Sequence, residues 1–175
     1  SITYLSKRKI FFRELSLFFV KAEKFEKNIG NSSLIKEVKK KFRLIIDNIL
    51  MKSVLMSYGY LKPRGYPGDS FIIESIYNNK PLSTGLGKML DEFLLCQPYS
   101  NAIRNRKNEM KKVLMKFLKK NSGQRVKILN LACGSCREIR EIISEGYDFG
   151  NKAEFTLIDK DKITLNSVKK EFRKL

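Results

Sequence analysis

Apolar residues recur at three- and four-residue steps through the first third of the chain, which is the spacing of one face of an α-helix. Over residues 5–28 they alternate with Lys and Glu, which predicts an amphipathic helix. Gly30 ends that helix, and Ser32 or Ser33 is placed to cap a second one from about 34 to 58. We expect two antiparallel helices joined through a Phe-rich stripe, in preference to a stripe that contacts lipid or acyl chains.

The next segment, 59–69, is rich in residues that interrupt regular structure. It holds three Gly, two Pro and two Tyr in eleven positions, which predicts a structured loop. Asp69 follows a glycine and is placed to cap a helix over 70–77. A second loop at 81–87 leads into a short apolar helix that ends near Cys96.

A long amphipathic helix is predicted over about 99–119, with Pro98 in its first turn. This helix carries Arg104 and Arg106. They are either an exposed pair in a basic protein or a pair of which one points inward, beside the 59–69 loop, and binds a carboxylate. The sequence leaves both interpretations open.

The last third of the chain changes pattern, from helices alone to alternating strands and helices. A buried strand at 125–132 is followed by a helix at 137–145, a strand at 153–158 and a closing helix. This order is typical of the beginning of a doubly wound, Rossmann-like sheet. The predicted fold is therefore α/β with a large all-helical N-terminal region, divided into a helical region at 1–120 and a β-α-β-α part at 121–175.

Two residues near the ends of these strands indicate a nucleoside site. Gly134 lies in the first turn, where a missing side chain lets a ligand approach the backbone. Asp159 ends the second strand 25 residues later, close to the separation of about 20 expected for a carboxylate that binds ribose. A single glycine disfavours NAD or FAD, and no Gly-Lys-Ser/Thr follows the strand, which excludes a P-loop. S-adenosylmethionine, a nucleoside without phosphates, fits this pattern.

Composition narrows the chemistry further. The 175 residues include 36 Lys and Arg against 18 Asp and Glu, a net charge of +18, yet 42% are hydrophobic, which excludes a disordered basic tail. Histidine is absent, so Ser-His and Cys-His nucleophiles are excluded. Methyl transfer to a carboxylate is compatible with the absence of histidine. An ionised carboxylate is already a nucleophile, so it needs to be aligned with the methyl group and does not need a base to deprotonate it. The charge also suggests nucleic-acid binding, as a weaker alternative.

The three cysteines, at 96, 133 and 136, form no disulfide framework, which indicates a reducing compartment and a cytoplasmic protein. No apolar stretch approaches the roughly 20 residues that a transmembrane helix needs. Cys133 and Cys136 form a C-x-x-C pair, but a redox dithiol or half of a zinc site is disfavoured. A redox role is disfavoured because the preceding strand and Asp159 already explain the turn as part of a nucleoside site. Zinc is disfavoured because it needs two more ligands, and the sequence has no His and only Cys96 as a further Cys. We expect no metal site.

These motifs resemble those of known enzymes. Residues 128–138 and 156–161 are similar to motif I and the acidic second motif of class I S-adenosylmethionine-dependent methyltransferases. Residues 62–69, Gln97-Pro98 and 104–106 resemble the helical N-terminal region of bacterial methyltransferases of the 3-hydroxy fatty acid methyl ester synthase type. The resemblance covers roughly residues 58 to 175.

The resemblance implies roles for particular residues. The cofactor would be lined by Ala132, Cys133 and Gly134, and its ribose would be held by Asp159. The amino-acid end of the cofactor, or the substrate, would be approached by residues of the loop and the long helix, namely Tyr66, Asp69, Arg104 and Arg106. The implied acceptor is a small acidic or fatty-acid-like molecule.

The family's catalytic domain has a seven-stranded sheet, whereas two strands are recognisable before Leu175. We therefore expect a fragment, a truncated product, or part of an assembly such as a homo-oligomer that covers the open sheet edge. Two alternatives remain beside the methyltransferase interpretation: a noncatalytic binding module derived from such an enzyme, and an RNA-associated protein or RNA methyltransferase.

Overall fold

The computed structural model describes residues 3–150 and 152–174; Asn151, in the predicted link before the second strand, lies outside them. The described residues form eight α-helices and one two-stranded sheet. Every one of these helices is too short or too polar to span a bilayer. The elements are α1 (Tyr4–Ile29), α2 (Ser32–Leu50), α3 (Val54–Leu61), α4 (Ser70–Asn78), α5 (Gly85–Cys96), α6 (Pro98–Lys120), β1 (Val126–Leu131), α7 (Arg137–Ser144), β2 (Ala153–Ile158) and α8 (Lys162–Phe172).

The chain divides into two compact units, each built from two stretches of sequence. The first unit is Ser1–Leu61 with Lys80–Cys96, and the second is Lys62–Asn79 with Gln97–Leu175. The first unit is helical, and the second contains the sheet together with α4, α6, α7 and α8. The predicted division near residue 120 into separate domains stays a prediction.

The cap of α2 differs from the prediction. Gly30 ends α1 in the left-handed region, with φ of 62°, as expected of a glycine at a helix end. The residue that caps α2 is Asn31 rather than Ser32 or Ser33, because its Oδ1 accepts from Ser33 N at 3.0 Å and Leu34 N at 3.1 Å. The helix therefore begins at Ser32.

The predicted second helix is in fact two helices, and the break lies at residues 51–53. The Ser53 hydroxyl begins α3, accepting from Met56 N at 3.0 Å while it donates to Asp91 Oδ1. The predicted 59–69 loop accordingly starts only after Leu61, and α5 begins inside the predicted 81–87 loop. A tertiary contact to Asp91, distant in sequence, outweighs the apolar periodicity that suggested one continuous helix.

The Phe-rich stripe of α1 makes contacts within the first unit. The rings of Phe18 and Phe42 stack at 5.1 Å between α1 and α2. Phe93 of α5 packs against Phe12 at 5.3 Å and Phe19 at 6.0 Å. The stripe is therefore an interhelical contact as predicted, although no described residue of α1 or α2 is buried.

In the second unit β1 and β2 pair in parallel, from Val126 opposite Ala153 to Leu131 opposite Ile158. Residues of alternate faces differ in exposure, as the two-residue period of a strand requires. One face packs onto a core drawn from both strands and the helices around them; its buried residues are Leu118, Val126, Cys133, Cys136, Ile139, Ile142, Phe149 and Val168. The other face leaves Leu129, Leu131 and Ile158 exposed.

Candidate functional site

A cleft of about 760 Å³ lies in the second unit, where β1 and β2 reach their carboxyl ends. Two segments form its floor: residues 130–136, which include the end of β1 and the turn that follows it, and residues 158–160, at the end of β2. Its walls come from the 62–69 loop, α4 and α6. The volume lies within the range of about 300–1,000 Å³ typical of small-molecule sites.

The turn from β1 into α7 has an unusual backbone. Ala132, Gly134 and Cys136 all have positive φ, at 52°, 52° and 50°. Such conformations are strained for residues with a side chain and are concentrated at functional sites. A Cβ placed on Gly134 would meet nothing within 4 Å, so the glycine backbone is open to the cleft.

The Asp159 carboxylate is oriented by two backbone groups. Gly134 N donates to its Oδ2 at 2.8 Å, and Asp161 N donates to its Oδ1 at 2.9 Å. A carboxylate offers about four lone-pair positions, so about two of them remain to accept further hydrogen bonds. Asp159 is therefore both fixed in direction and able to bind a pair of hydroxyls.

A second carboxylate, Asp161, joins the 62–69 loop to α8. Its Oδ2 accepts from Arg64 Nη1 at 2.6 Å and from Thr164 Oγ1 at 2.7 Å, and its Oδ1 caps α8 through Ile163 N and Thr164 N. The Thr164 hydrogen bonds, together with the Arg64 guanidinium, hold the pKa of Asp161 well below its usual value. Asp161 is therefore ionised at neutral pH and supports one wall of the cleft.

The structure brings six of the eight predicted site residues to the cleft. They are Tyr66, Arg106, Ala132, Cys133, Gly134 and Asp159. The Tyr66 hydroxyl donates to Asp161 Oδ2 at 3.2 Å, and burial with the nearby Asp161 charge raises the pKa of Tyr66. Arg106 hydrogen-bonds Tyr77, another residue of the cleft wall. The roles assigned to these residues stay predictions.

Asp69 and Arg104 do not line the cleft. Asp69 is 2% exposed and caps α4, as predicted, with its Oδ1 accepting from Phe71 N at 3.0 Å and Ile72 N at 3.2 Å. Arg104 donates to the Ile76 carbonyl at 3.2 Å and to the Asn101 side chain. Both side chains thus have structural partners, and of the two predicted arginines only Arg106 reaches the cleft.

The C-x-x-C pair lies in the strained turn. Cys133 is 7% exposed and Cys136 is 1% exposed, and burial raises the pKa of both thiols. A redox-active cysteine has a lowered pKa, so this environment is the opposite of the one that a reactive dithiol needs. Among the residues that the structure describes, no three Cys, Asp or Glu side chains come together as metal ligands.

Sequence reasoning missed an ion-pair cluster beside the turn. Glu74 of α4 accepts from Arg137 Nη1 at 2.8 Å, from Arg140 Nη2 at 2.8 Å and from the Ser135 hydroxyl. The available signal was that Glu74 is the one charged residue of α4 and that two arginines lie a helical turn apart at the start of α7. This cluster connects α4 to the floor of the cleft.

Comparison with known proteins assigns the family. A protein-family model described as "Putative methyltransferase" matches residues 35–170, more than three quarters of the chain. No curated protein and no solved structure gave a significant match. The matched region includes the strained turn, Asp159 and both strands of the cleft floor. The chain therefore belongs to a methyltransferase family.

Proposed function

We propose that this protein is a class I methyltransferase that uses S-adenosylmethionine, with β1 and β2 belonging to a Rossmann-like sheet. One observation carries the proposal: Gly134 and Asp159, at the ends of adjacent parallel strands, share a 2.8 Å hydrogen bond and face one cleft. In open α/β sheets ligands bind at this position. Membership of a methyltransferase family supplies the reaction class.

The residues of the cleft fit the cofactor. Asp159 would hold the two ribose hydroxyls with its remaining lone pairs, and Gly134 would let the nucleoside lie against the backbone. Apolar wall residues suited to an adenine ring come from α4 and α6, namely Ile73, Ile103 and Met110. When bound, the cofactor would supply a methyl group on a positively charged sulfur.

The proposed acceptor is a small acidic or fatty-acid-like molecule that carries a carboxylate. An ionised carboxylate is already a nucleophile, so the protein needs to align it and exclude water, which a chain without histidine can do. Arg106 is the arginine of the cleft and would orient that carboxylate, with Tyr66 nearby as a hydrogen-bonding group. The resemblance of residues 62–69 and 104–106 to 3-hydroxy fatty acid methyl ester synthases supports the same class.

We also propose a cytoplasmic location, from the three free cysteines. A homo-oligomer would cover the open edge of the sheet, because in the described part of the chain β1 and β2 pair only with each other. The family match does not favour the noncatalytic or RNA-associated alternatives.

Transfer of a radioactive methyl group from labelled S-adenosylmethionine tests the proposal. The protein is incubated in separate reactions with 3-hydroxy fatty acids, with short dicarboxylic acids, with the corresponding amides as matched acceptors without a charge, and with RNA. The expected result is labelled ester from one carboxylate series, none from the amides, and none with Asp159→Ala. Label in RNA but in no carboxylate would contradict the proposed acceptor.

A further inference from the structure

Glu74, a carboxylate of α4, hydrogen-bonds the turn that forms part of the cleft floor. Glu74 Oε1 accepts from the Ser135 hydroxyl and, at 2.8 Å, from Arg140 Nη2. Arg140 Nε also donates to the Ser135 carbonyl at 3.0 Å. Ser135 is therefore hydrogen-bonded through its hydroxyl to Glu74 and through its carbonyl to Arg140. Glu74 and Arg140 also form an ion pair with each other.

The ion pairs of this cluster are partly buried, so they can stabilise the turn. The side chains are 25% exposed for Glu74, 16% for Arg140 and 26% for Arg137. Ion pairs at this depth are screened by solvent less than the fully exposed pairs that contribute little. Arg137 adds a second charge-assisted hydrogen bond to Glu74 Oε2 at 2.8 Å, so both carboxylate oxygens are engaged.

The strained backbone of the 133–136 turn depends on contacts with surrounding residues. Ser135 lies between Gly134 and Cys136, both in the left-handed region, and Ala132 precedes them in the same conformation. Cys136 begins α7 without a side-chain hydrogen bond to the helix. Strained residues persist only where surrounding contacts fix them. Cys136 N donates to the Cys133 carbonyl at 3.0 Å within the turn, and Gly134 N donates to Asp159. The Ser135 hydroxyl and carbonyl are bonded instead to Glu74 and Arg140.

We propose that Glu74 is a positioning residue for the cofactor: it holds the 133–136 turn in the conformation that presents Gly134 and Ser135 to the ligand. This inference rests on the proposed function, because the ligand it concerns is S-adenosylmethionine. Glu74 does not line the main cleft and acts through Ser135 and Arg140. Its removal therefore loosens the turn without removing any group that contacts the ligand.

Two readouts test the inference: amide hydrogen exchange of residues 133–136 in the free protein, and the affinity for S-adenosylhomocysteine. We expect Glu74→Ala to speed exchange in the turn and to weaken binding, each by about tenfold, the effect of losing the hydrogen bond from the Ser135 hydroxyl. We expect Glu74→Gln, which keeps an oxygen for Ser135, to recover most of both. Glu171→Ala is the matched control, because Glu171 contacts Arg140 Nη1 at 3.7 Å, whereas the Ser135 hydroxyl donates to Glu74.

The outcomes separate this inference from the proposed function. Unchanged exchange and affinity in Glu74→Ala, or equal effects in Glu171→Ala, would overturn the positioning role. Faster exchange in Glu74→Ala, in a protein whose wild type does not bind S-adenosylhomocysteine, would support the restraint on the turn and contradict the cofactor. If Glu74→Ala does not fold, a double-mutant cycle of Glu74→Gln with Ser135→Ala replaces it, with nonadditive effects on exchange expected and additive effects contradicting the role.

Discussion

The backbone N–H of Gly134 donates to Oδ2 of Asp159 at 2.8 Å, and this bond joins the ends of two adjacent parallel strands. It fixes the carboxylate relative to the turn before any ligand arrives. A ligand that contacts the turn therefore meets an oriented acceptor at the same time. Such preorganisation lowers the cost of ordering groups on binding.

Gly134→Ala tests how closely the ligand approaches the turn. The left-handed φ of 52° makes alanine strained, so we expect a loss of about 1 kcal/mol in unfolding free energy. The added Cβ points into open space in the cleft, so we expect a larger loss in affinity for S-adenosylhomocysteine. Gly146→Ala is the matched control, since Gly146 also has positive φ and open space but lies outside the cleft. Equal affinity in both variants would argue against close approach.

Asp161→Asn is expected to reduce stability in a pH-dependent way. Asn keeps an oxygen for the helix cap but loses the charge that pairs with Arg64, so we expect a loss of about 2 kcal/mol at pH 7. Because the folded-state pKa of Asp161 is depressed, its stabilisation is fully present above the usual pKa of about 4 and is lost as the pH falls through the depressed value. Urea unfolding at several pH values measures this; a difference between the proteins that does not shrink below about pH 4 would contradict the assignment.

The three thiols should differ in reactivity. Cys96 is exposed, whereas burial raises the pKa of Cys133 and Cys136. We expect iodoacetamide at pH 8 to modify Cys96 alone in the native protein and all three cysteines after denaturation. Peptide mass spectrometry identifies the modified residues, and Cys96→Ser should abolish native labelling. Rapid labelling of Cys136 would show that the turn is open rather than packed.

Asp91 is predicted to be essential to the first unit. It is 0% exposed and accepts from the Ser53 hydroxyl, from Leu82 N at 2.8 Å and from Ser83 N at 2.8 Å. Asp91→Ala leaves these donors without an acceptor in the interior, and we expect a loss of about 3 kcal/mol or more in unfolding free energy. Glu23→Ala, which removes an exposed ion pair with Lys27, should have no measurable effect. Similar stability of the two variants would contradict the burial of Asp91.

Local signals in the sequence were sufficient for much of the fold. The strand predicted at 153–158 matches β2, Ala153–Ile158, and Pro98 marked the start of α6. The placement of Gly134 and Asp159 after neighbouring strands followed from the strand order, because parallel strands bring their carboxyl ends to the same edge, whereas the hydrogen bond between them was not predicted. These features depend on short stretches of sequence and on general rules of topology.

Contacts between distant residues could not be predicted in this way. The break between α2 and α3 depends on the Ser53 contact with Asp91, 38 residues away. Glu74 reaches Ser135 across 61 residues, so neither residue indicates the other in the sequence. Arg104 and Arg106 are two positions apart on α6, so their side chains point in different directions. Because both residues are arginines, the sequence did not show which of them reaches the cleft.

Calorimetric titration with S-adenosylhomocysteine, comparing the wild type with Asp159→Ala, tests the central claim most directly. We predict micromolar binding by the wild type and a loss of at least about tenfold in the variant, since two hydrogen bonds to the ribose would be removed. Circular dichroism and thermal unfolding of both proteins establish that the variant is folded. Absence of binding by a folded wild type, or equal binding by the two proteins, would contradict a nucleoside site at the ends of β1 and β2.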